Sequence, residues 1–540
     1  MHRISGAAKA VATAVLSIPI LFAQSGTQPE TIDRNAIYRI KAEASSSTIA
    51  EILDNLADRY GPRLTNSPQF RLAANWIMQQ LEAWHFDNVH QEKWATPANL
   101  PIPSWQCTFF SASMVEPAYQ PLIGMPEAWS PATKGSITGD VVHWQLPRTM
   151  EEFESLRGKM AGKIVLLGGP ASPLPLPIAP VGRRYTREEL AALTLEAVPV
   201  LNPFPPRPAP PSFADINEAK IDEWLSHERP LALLRSGAGN FAGSAAASYQ
   251  GGTALGPGFQ NASALPDPRP TAIVAAEHYN RMARLVERNV PVRVQLEIRT
   301  ESDKTGERES FNVIGEIRGG SKAEEVVMVG AHLDSWPYAT GAIDNAVGCA
   351  VAMEAMRILR RANLPMDRTV RLALWGGEEQ GLLGSRAYVK QHFADRVGMQ
   401  VTPEHERLSV YFNLDGGSGK IQGIYLQHNE MARPVFAGWF TGLKDLTSGA
   451  VSIRDFPEAG RRSDHMAFDE VGLPGFPFLQ DPLDFETRFH TNMDTYERVQ
   501  PADAQQMAVL VASFLYQAAT RAERLPRKPL PAPLRPVPGQ

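Results

Sequence analysis

EEVVMVGAHLD (324–334), AVGCAVAMEAMRILRRAN (346–363) and RTVRLALWGGEEQGLLGSRAYVKQH (368–392) decide the fold class. The first is an apolar run suited to a strand buried on both faces. The second spaces its apolar residues as a helix does, and the third reads as strand, turn and helix. FNVIGEIRG (311–319) adds a strand before them, and LSVYFNLDGGSG (408–419) adds one after, with a glycine-rich exit. Strands alternating with helices in this way predict an α/β unit, a mixed β-sheet flanked by helices, over 306–520.

Outward from this block the texture changes. Between 121 and 305, short apolar runs are cut by glycine and proline: SITGDVVHW (136–144), GKIVLLGG (162–169), RPLALLRSG (229–237) and PTAIVAAEH (270–278). Each reads as a strand, and NRMARLVERN (280–289) as an amphipathic helix, so this part is a small β-rich insert with a proline-rich excursion over 170–211. Residues 24–120 read as a helical part of the catalytic unit, with helices at 44–61 and 67–86. The first 23 residues have a basic start (His2, Arg3, Lys9) and a short apolar run ending at Phe22-Ala23. That is the pattern of a signal peptide, and it predicts a secreted or periplasmic protein without a membrane span in its mature form. Residues 521–540 form a proline-rich tail, predicted to be disordered or extended.

Composition narrows the function. The chain has 540 residues, 43% of them hydrophobic and 21% charged, so it can build a large core. A net charge of −5 gives no electrostatic footprint for nucleic acid. Two cysteines, Cys107 and Cys349, exclude a disulfide scaffold and a thiolate zinc site.

The polar residues gather where strands end, which is where an open α/β sheet carries its chemistry. His332 and Asp334 close one strand, Asp344 precedes a helix, and Glu378 and Glu379 follow another strand. Asp415 sits at a further strand exit, and His490 and Asp494 come late in the chain. Singly, each is an ordinary cap, turn or surface residue. Together they offer imidazoles and carboxylates suited to two zinc ions. Two such ions, about 3.5–4 Å apart, can share a carboxylate bridge and polarise a carbonyl. The Glu378–Glu379 pair supplies one metal ligand and one proton carrier.

HLDS, GAIDNAVG, WGGEEQGLLGS, NLDGG, RSDHMAF and FHTNMDT resemble the motifs of the co-catalytic zinc exopeptidases, a family of secreted bacterial aminopeptidases and carboxypeptidase Q. The resemblance covers about 306–520, and 121–305 looks more loosely like an inserted protease-associated domain. It implies a zinc exopeptidase (phosphorylase/hydrolase-like) fold and peptide substrates. It implies that His332 and Asp415 hold one zinc, Glu379 and His490 the other, and that Asp344 bridges them. Glu378 is then the general base and acid, and Asp334 orients His332. A cis peptide is expected at Asp344–Asn345. Phe489 departs from a tyrosine found in some aminopeptidases, which leaves the second zinc or Arg462 to assist the carbonyl. Asp464 and His465 are expected to cap a helix near the site.

Competing motifs fail. HERPL (227–231) and HERLS (405–409) lack the second histidine of a thermolysin-type helix, and GAGNFA (237–242) lacks the helix of a dinucleotide fingerprint. A receptor with a degraded site is a real alternative, but all five ligand positions and Glu378 are chemically competent. EAGRRSDH (458–465) leans towards aminopeptidases and HLDSW towards carboxypeptidase Q, so the expected activity is release near a free N-terminus of short peptides, with a carboxypeptidase Q-like dipeptidase as the alternative.

Overall fold

A computed structural model describes residues 30–145, 150–155, 157–168, 182–195, 224–225, 227–237, 268–454 and 463–534. Its larger sheet has eight strands, in the order Asp87–Ala95, Glu309–Ile317, Arg368–Trp375, Lys322–His332, Leu408–Asn413, Gly475–Gln480, Ile421–Tyr425 and Ala450–Ser452. The four central strands, Arg368–Trp375 to Gly475–Gln480, run parallel. The first two strands in the order are antiparallel to their neighbours, so the sheet is mixed as expected.

Alternation along the central strands assigns two cores. Val327, Val329 and Ala331 point into one, with Val370, Leu372 and Leu374 from the neighbouring strand. Met328, Ala373 and Trp375 point into the other. The first core is covered by the helices Val347–Ala362 and Pro501–Thr520, together with the N-terminal helices Arg34–Glu43 and Pro68–Ala83. Ser67 starts Pro68–Ala83 by accepting the amide of Phe70, with Pro68 in the first turn, where its missing N–H costs nothing. The second core is closed by Leu383–His392 and His465–Asp469.

Strand pairing divides the chain differently from the sequence reading. Ser104–Glu116, expected within the helical part, belongs to the second eight-stranded sheet and pairs along its length with Arg293–Asp303. The proline-rich passage at 97–105 is therefore the crossing between sheets, and the insert's sheet starts at 104 rather than 121. It also contains the expected strands Ile137–Trp144, Ile164–Leu167, Ala232–Ser236 and Thr271–Val274. The helix expected at 280–289 begins earlier, as Ala276–Glu287.

The described part of the tail, 521–534, is extended and tied down. Arg527 donates to the carbonyls of His405 and Glu406, Lys528 pairs with Asp469 at 2.6 Å, and Asn429 donates to the carbonyl of Pro526. The segment expected to be a signal peptide (1–23) lies outside the described residues, as do Arg462 and most of the proline-rich excursion. The excursion's 182–195 portion is described. There the helix Arg187–Thr194 packs on Tyr425, Ala450 and Leu479, and Arg184 reaches Asp481 at 2.9 Å and Asp503 at 2.6 Å. No described helix is long and apolar enough to cross a membrane.

Candidate active site

Four parallel strands deliver the predicted residues to one end of the sheet. His332 ends its strand in register with Trp375, and Glu378 and Glu379 follow Trp375 through Gly376 and Gly377. Gly377 takes φ +74°, a left-handed conformation that favours glycine. Asp415 leaves the strand Leu408–Asn413, and His490 lies in the segment after Gly475–Gln480. Asp344 arrives from the buried segment between His332 and the helix Val347–Ala362, and the Asp344–Asn345 peptide is cis, as expected.

These side chains converge. Asp344 directs its Oδ1 to His332 Nε2 at 3.1 Å and its Oδ2 to His490 Nε2 at 3.0 Å. Each imidazole also meets a carboxylate of its own. Asp415 Oδ1 is 3.4 Å from His332 Nε2, and Glu379 Oε2 is 2.9 Å from His490 Nε2. Among the described residues, His332, Asp344 and Glu379 bring one ligand atom each within 4.8 Å of one another. The other oxygen of Glu379, Oε1, is buried and has no hydrogen-bond partner. A carboxylate oxygen so placed fits a cation, because burying it without a partner is costly.

The protonation equilibria follow from this crowding. Burial pulls His490 towards neutrality, yet Glu379 and Asp344 outweigh it and push its pKa up to about 10. His332 is raised well above the ordinary value: burial opposes the shift, and Glu378, Asp415 and Asp344 drive it. Burial raises Asp344, but its hydrogen bonds to His332 and His490 win and hold it far below the usual carboxylate range. Burial also pushes Glu379 up to about 7 against the pull of His490, and raises Glu378 well above normal against the pull of His332. The cluster has more carboxylates than its imidazoles can neutralise.

Asp334 acts by a different route from the expected one. His332 Nδ1 is held by the main-chain carbonyl of Asp334 at 2.9 Å, while the nearest approach to the carboxylate is 3.9 Å. The Asp334 side chain instead accepts the amides of Glu378 at 3.2 Å and Glu379 at 3.3 Å, fixing the turn that carries both. It also accepts the hydroxyl of Thr65 at 3.0 Å. Asp494 accepts the amide of Ile343 at 2.7 Å beside Asp344, and burial pushes its carboxyl up to about 8. Asp464 stands at the start of the helix His465–Asp469 but caps no amide with its side chain, contrary to expectation. It is fully buried, and burial lifts it to about 7, with His332 pulling the other way.

The sequence reading missed the support beneath the site. The segment GPRLTNS (61–67) is almost wholly buried, and its Arg63, Thr65 and Asn66 hydrogen-bond into the catalytic unit. Its one signal was an arginine in the short connection between the helices expected at 44–61 and 67–86. Trp336 and Tyr338 were also missed. They stack with centroids 6.0 Å apart, and Trp336 meets His490 edge-on at 6.2 Å and Trp129 of the insert region at 6.3 Å. Together with Asp344, Glu379 and His490 they line a small cavity of about 10 Å³. Phe489 lies against the His490 ring, with centroids 4.6 Å apart.

Residues 312–515 match the profile of Peptidase family M28. Bovine carboxypeptidase Q is 26% identical over 480 residues, covering 88% of this chain and 86% of the relative. Aminopeptidase YwaD of Bacillus subtilis is 31% identical over 223 residues, covering 40% of this chain and 46% of the relative. The crystal structure of an M28 peptidase precursor from Shewanella amazonensis SB2B shares the fold, with a TM-score of 0.62 at 23% identity, over 92% of this chain and 99% of that one. The zinc aminopeptidase BSAP of Bacillus subtilis shares it with a TM-score of 0.51 at 18% identity, over 92% and 97%. The M28 segment begins inside the strand Glu309–Ile317 and contains every residue of the converging cluster.

Proposed function

We propose that this chain is an exported zinc exopeptidase that hydrolyses short peptides with two zinc ions and Glu378. The observation that carries the reading is Asp344, whose two oxygens face two imidazoles, each backed by a further carboxylate. In this reading His332 and Asp415 would hold one ion, His490 and Glu379 the other, and Asp344 would bridge them. Oxygen and imidazole donors of this kind suit zinc, and the partnerless Glu379 Oε1 is the vacancy in the hydrogen bonding that a cation fills. Zinc, when bound, supplies a Lewis acid that polarises the scissile carbonyl and makes water a nucleophile near neutral pH.

The chain's own residues do the rest. Glu378 takes the proton of the attacking water and returns it to the leaving amine, a role suited to a carboxyl that burial raises well above its ordinary value. Asp334 keeps Glu378 aimed by holding its amide. Trp336 and the 336–338 segment wall one side, beside insert residues Met125 and Ile273. The insert (sheet from 104 to 303) shapes access and does no chemistry: His143 is held by Gly168 and Glu287, and His278 accepts the amide of Ile123.

On polarity, the carboxylate-rich cluster favours a substrate ammonium and therefore cleavage near a free N-terminus. The length of the carboxypeptidase Q similarity, which includes the insert, favours the second reading, a dipeptidase or carboxypeptidase. Two tripeptides separate them, one N-acetylated and one C-amidated. Cleavage of the amidated peptide with sparing of the acetylated one supports the N-terminal reading. The reverse pattern overturns it, and cleavage of neither by zinc-loaded protein refutes the exopeptidase reading.

A further inference from the structure

Arg63 is fully buried, and four of its donors end on main-chain carbonyls. Nε donates to Leu333 at 2.8 Å, one terminal nitrogen to Leu56 at 2.7 Å and Thr340 at 2.9 Å, and the other to Gly341 at 2.9 Å. Its own backbone pairs with Ser335: the Arg63 amide donates to Ser335 Oγ at 3.0 Å, and the Ser335 amide donates to the Arg63 carbonyl at 3.1 Å. Leu333 directly follows His332, and Gly341 stands three residues before Asp344. The guanidinium therefore grips both ends of the irregular segment joining the two residues whose side chains meet at 3.1 Å.

A buried segment without regular structure must find partners for its carbonyls inside the protein. Water or a hydroxyl could do so singly. A planar fork does it for three carbonyls of the segment at once and sets their separation. Burial lowers the Arg63 pKa from its ordinary value, partly offset by Cys349, Asp494, Asp334 and Asp344, and a guanidinium starts so far above neutral that it keeps its charge. Gly61, two residues earlier, completes the fit: a Cβ there would lie 2.5 Å from the carbonyl of Thr340.

We propose that Arg63 is a positioning residue for the metal centre, holding the 333–341 segment so that His332 and Asp344 are spaced for a cation before it arrives. The inference rests on the zinc reading above. It differs from a role in stability alone, because a residue that only satisfies carbonyls affects melting and leaves the folded site intact.

The test is Arg63→Lys in the full chain, which keeps the charge and loses the fork. The readouts are the zinc dissociation constant by competition with a chromogenic chelator, the melting temperature, and kcat and KM at saturating zinc. The expected result is zinc affinity lowered ~10–100-fold, the range for groups supporting metal ligands. The expected kinetic result is kcat reduced ~10-fold or more with KM changed far less, since misplaced groups cost rate more than binding. R63K with a lower melting temperature but affinity and kcat within twofold of wild type overturns the proposal. If R63K does not fold, Ser335→Ala loosens the same segment, and zinc affinity unchanged in S335A overturns it too. Wild-type protein that binds no zinc sinks the zinc reading and this inference with it, whereas wild-type-like R63K sinks the inference alone.

Discussion

Two histidine clusters at different places in the catalytic unit look alike at first sight. In one, His332 and His490 meet Asp344, Asp415 and Glu379 at 2.9–3.4 Å. In the other, His392 stands between Glu92 at 2.8 Å and Glu404 at 3.0 Å, with the His90 ring 3.7 Å from Glu92. The second cluster borders a polar cavity of about 460 Å³. Contact distance does not separate the clusters; what the contacts leave over does. His392 uses both ring nitrogens on carboxylates and packs on Tyr388 with ring centroids 4.4 Å apart, so both its polar atoms are satisfied. The first cluster converges from four strand ends, carries surplus carboxylates and strands a buried oxygen of Glu379. A histidine beside a carboxylate is common, and convergence with an unmet demand for positive charge is what points to metal.

The comparison breaks most visibly at Glu378. Glu378→Gln is expected to keep fold and zinc and to lose turnover by ~10²–10⁴-fold, since an amide cannot carry the proton. Activity within threefold of wild type removes Glu378 from the chemistry. Next comes Asp344→Asn, expected to lower zinc below two per chain as well as activity, because a neutral amide is a poor bridge. Two zincs per chain in that variant, by elemental analysis, refute the bridging role.

His392→Gln tests the other half, and its expected effect is on stability alone, ~1 kcal/mol or less. Burial opposes protonation of His392, but Glu92 and then Glu404 raise its pKa above the unfolded value. Its contribution is therefore full below about pH 6.5 and is lost as pH rises through the folded pKa. Urea midpoints should show the gap between wild type and variant closing from pH 6 to alkaline pH. Zinc lost from H392Q would erase the distinction between the clusters. The smallest effect is expected in the insert: His227→Ala with His278→Ala should leave kcat/KM within twofold, and abolished hydrolysis in folded, zinc-loaded protein would return the insert to the chemistry.

The strand and helix pattern from 311 to 392 was legible because buried parallel strands are uniformly apolar and their glycine-rich ends carry the acids. The positions that converge, His332, Asp344, Glu379, Asp415 and His490, were legible for the same reason. Ser104–Glu116 was harder: it follows prolines, and only its partner 190 residues later, Arg293–Asp303, fixes the sheet it joins. Arg63 and Thr65 were invisible because their partners are carbonyls and a carboxylate some 270 residues away. The route of Asp334 was misread because spacing along a strand places both groups on one face but does not say which atom of Asp334 reaches the imidazole.

Glu30 meets Arg521 at 3.0 Å and Trp439 at 3.1 Å, and the larger sheet takes its first strand from 87–95 and all its others from 309 onward. This interleaving has a consequence for the order of synthesis. The sheet between 104 and 303 has all its strands once the ribosome has released them and can close early. The outer unit must hold its first strand and helices in waiting until the helix Pro501–Thr520 emerges to cover them. Such long-range closure is slow. The converging cluster, which needs His490, is therefore complete only when synthesis is nearly done.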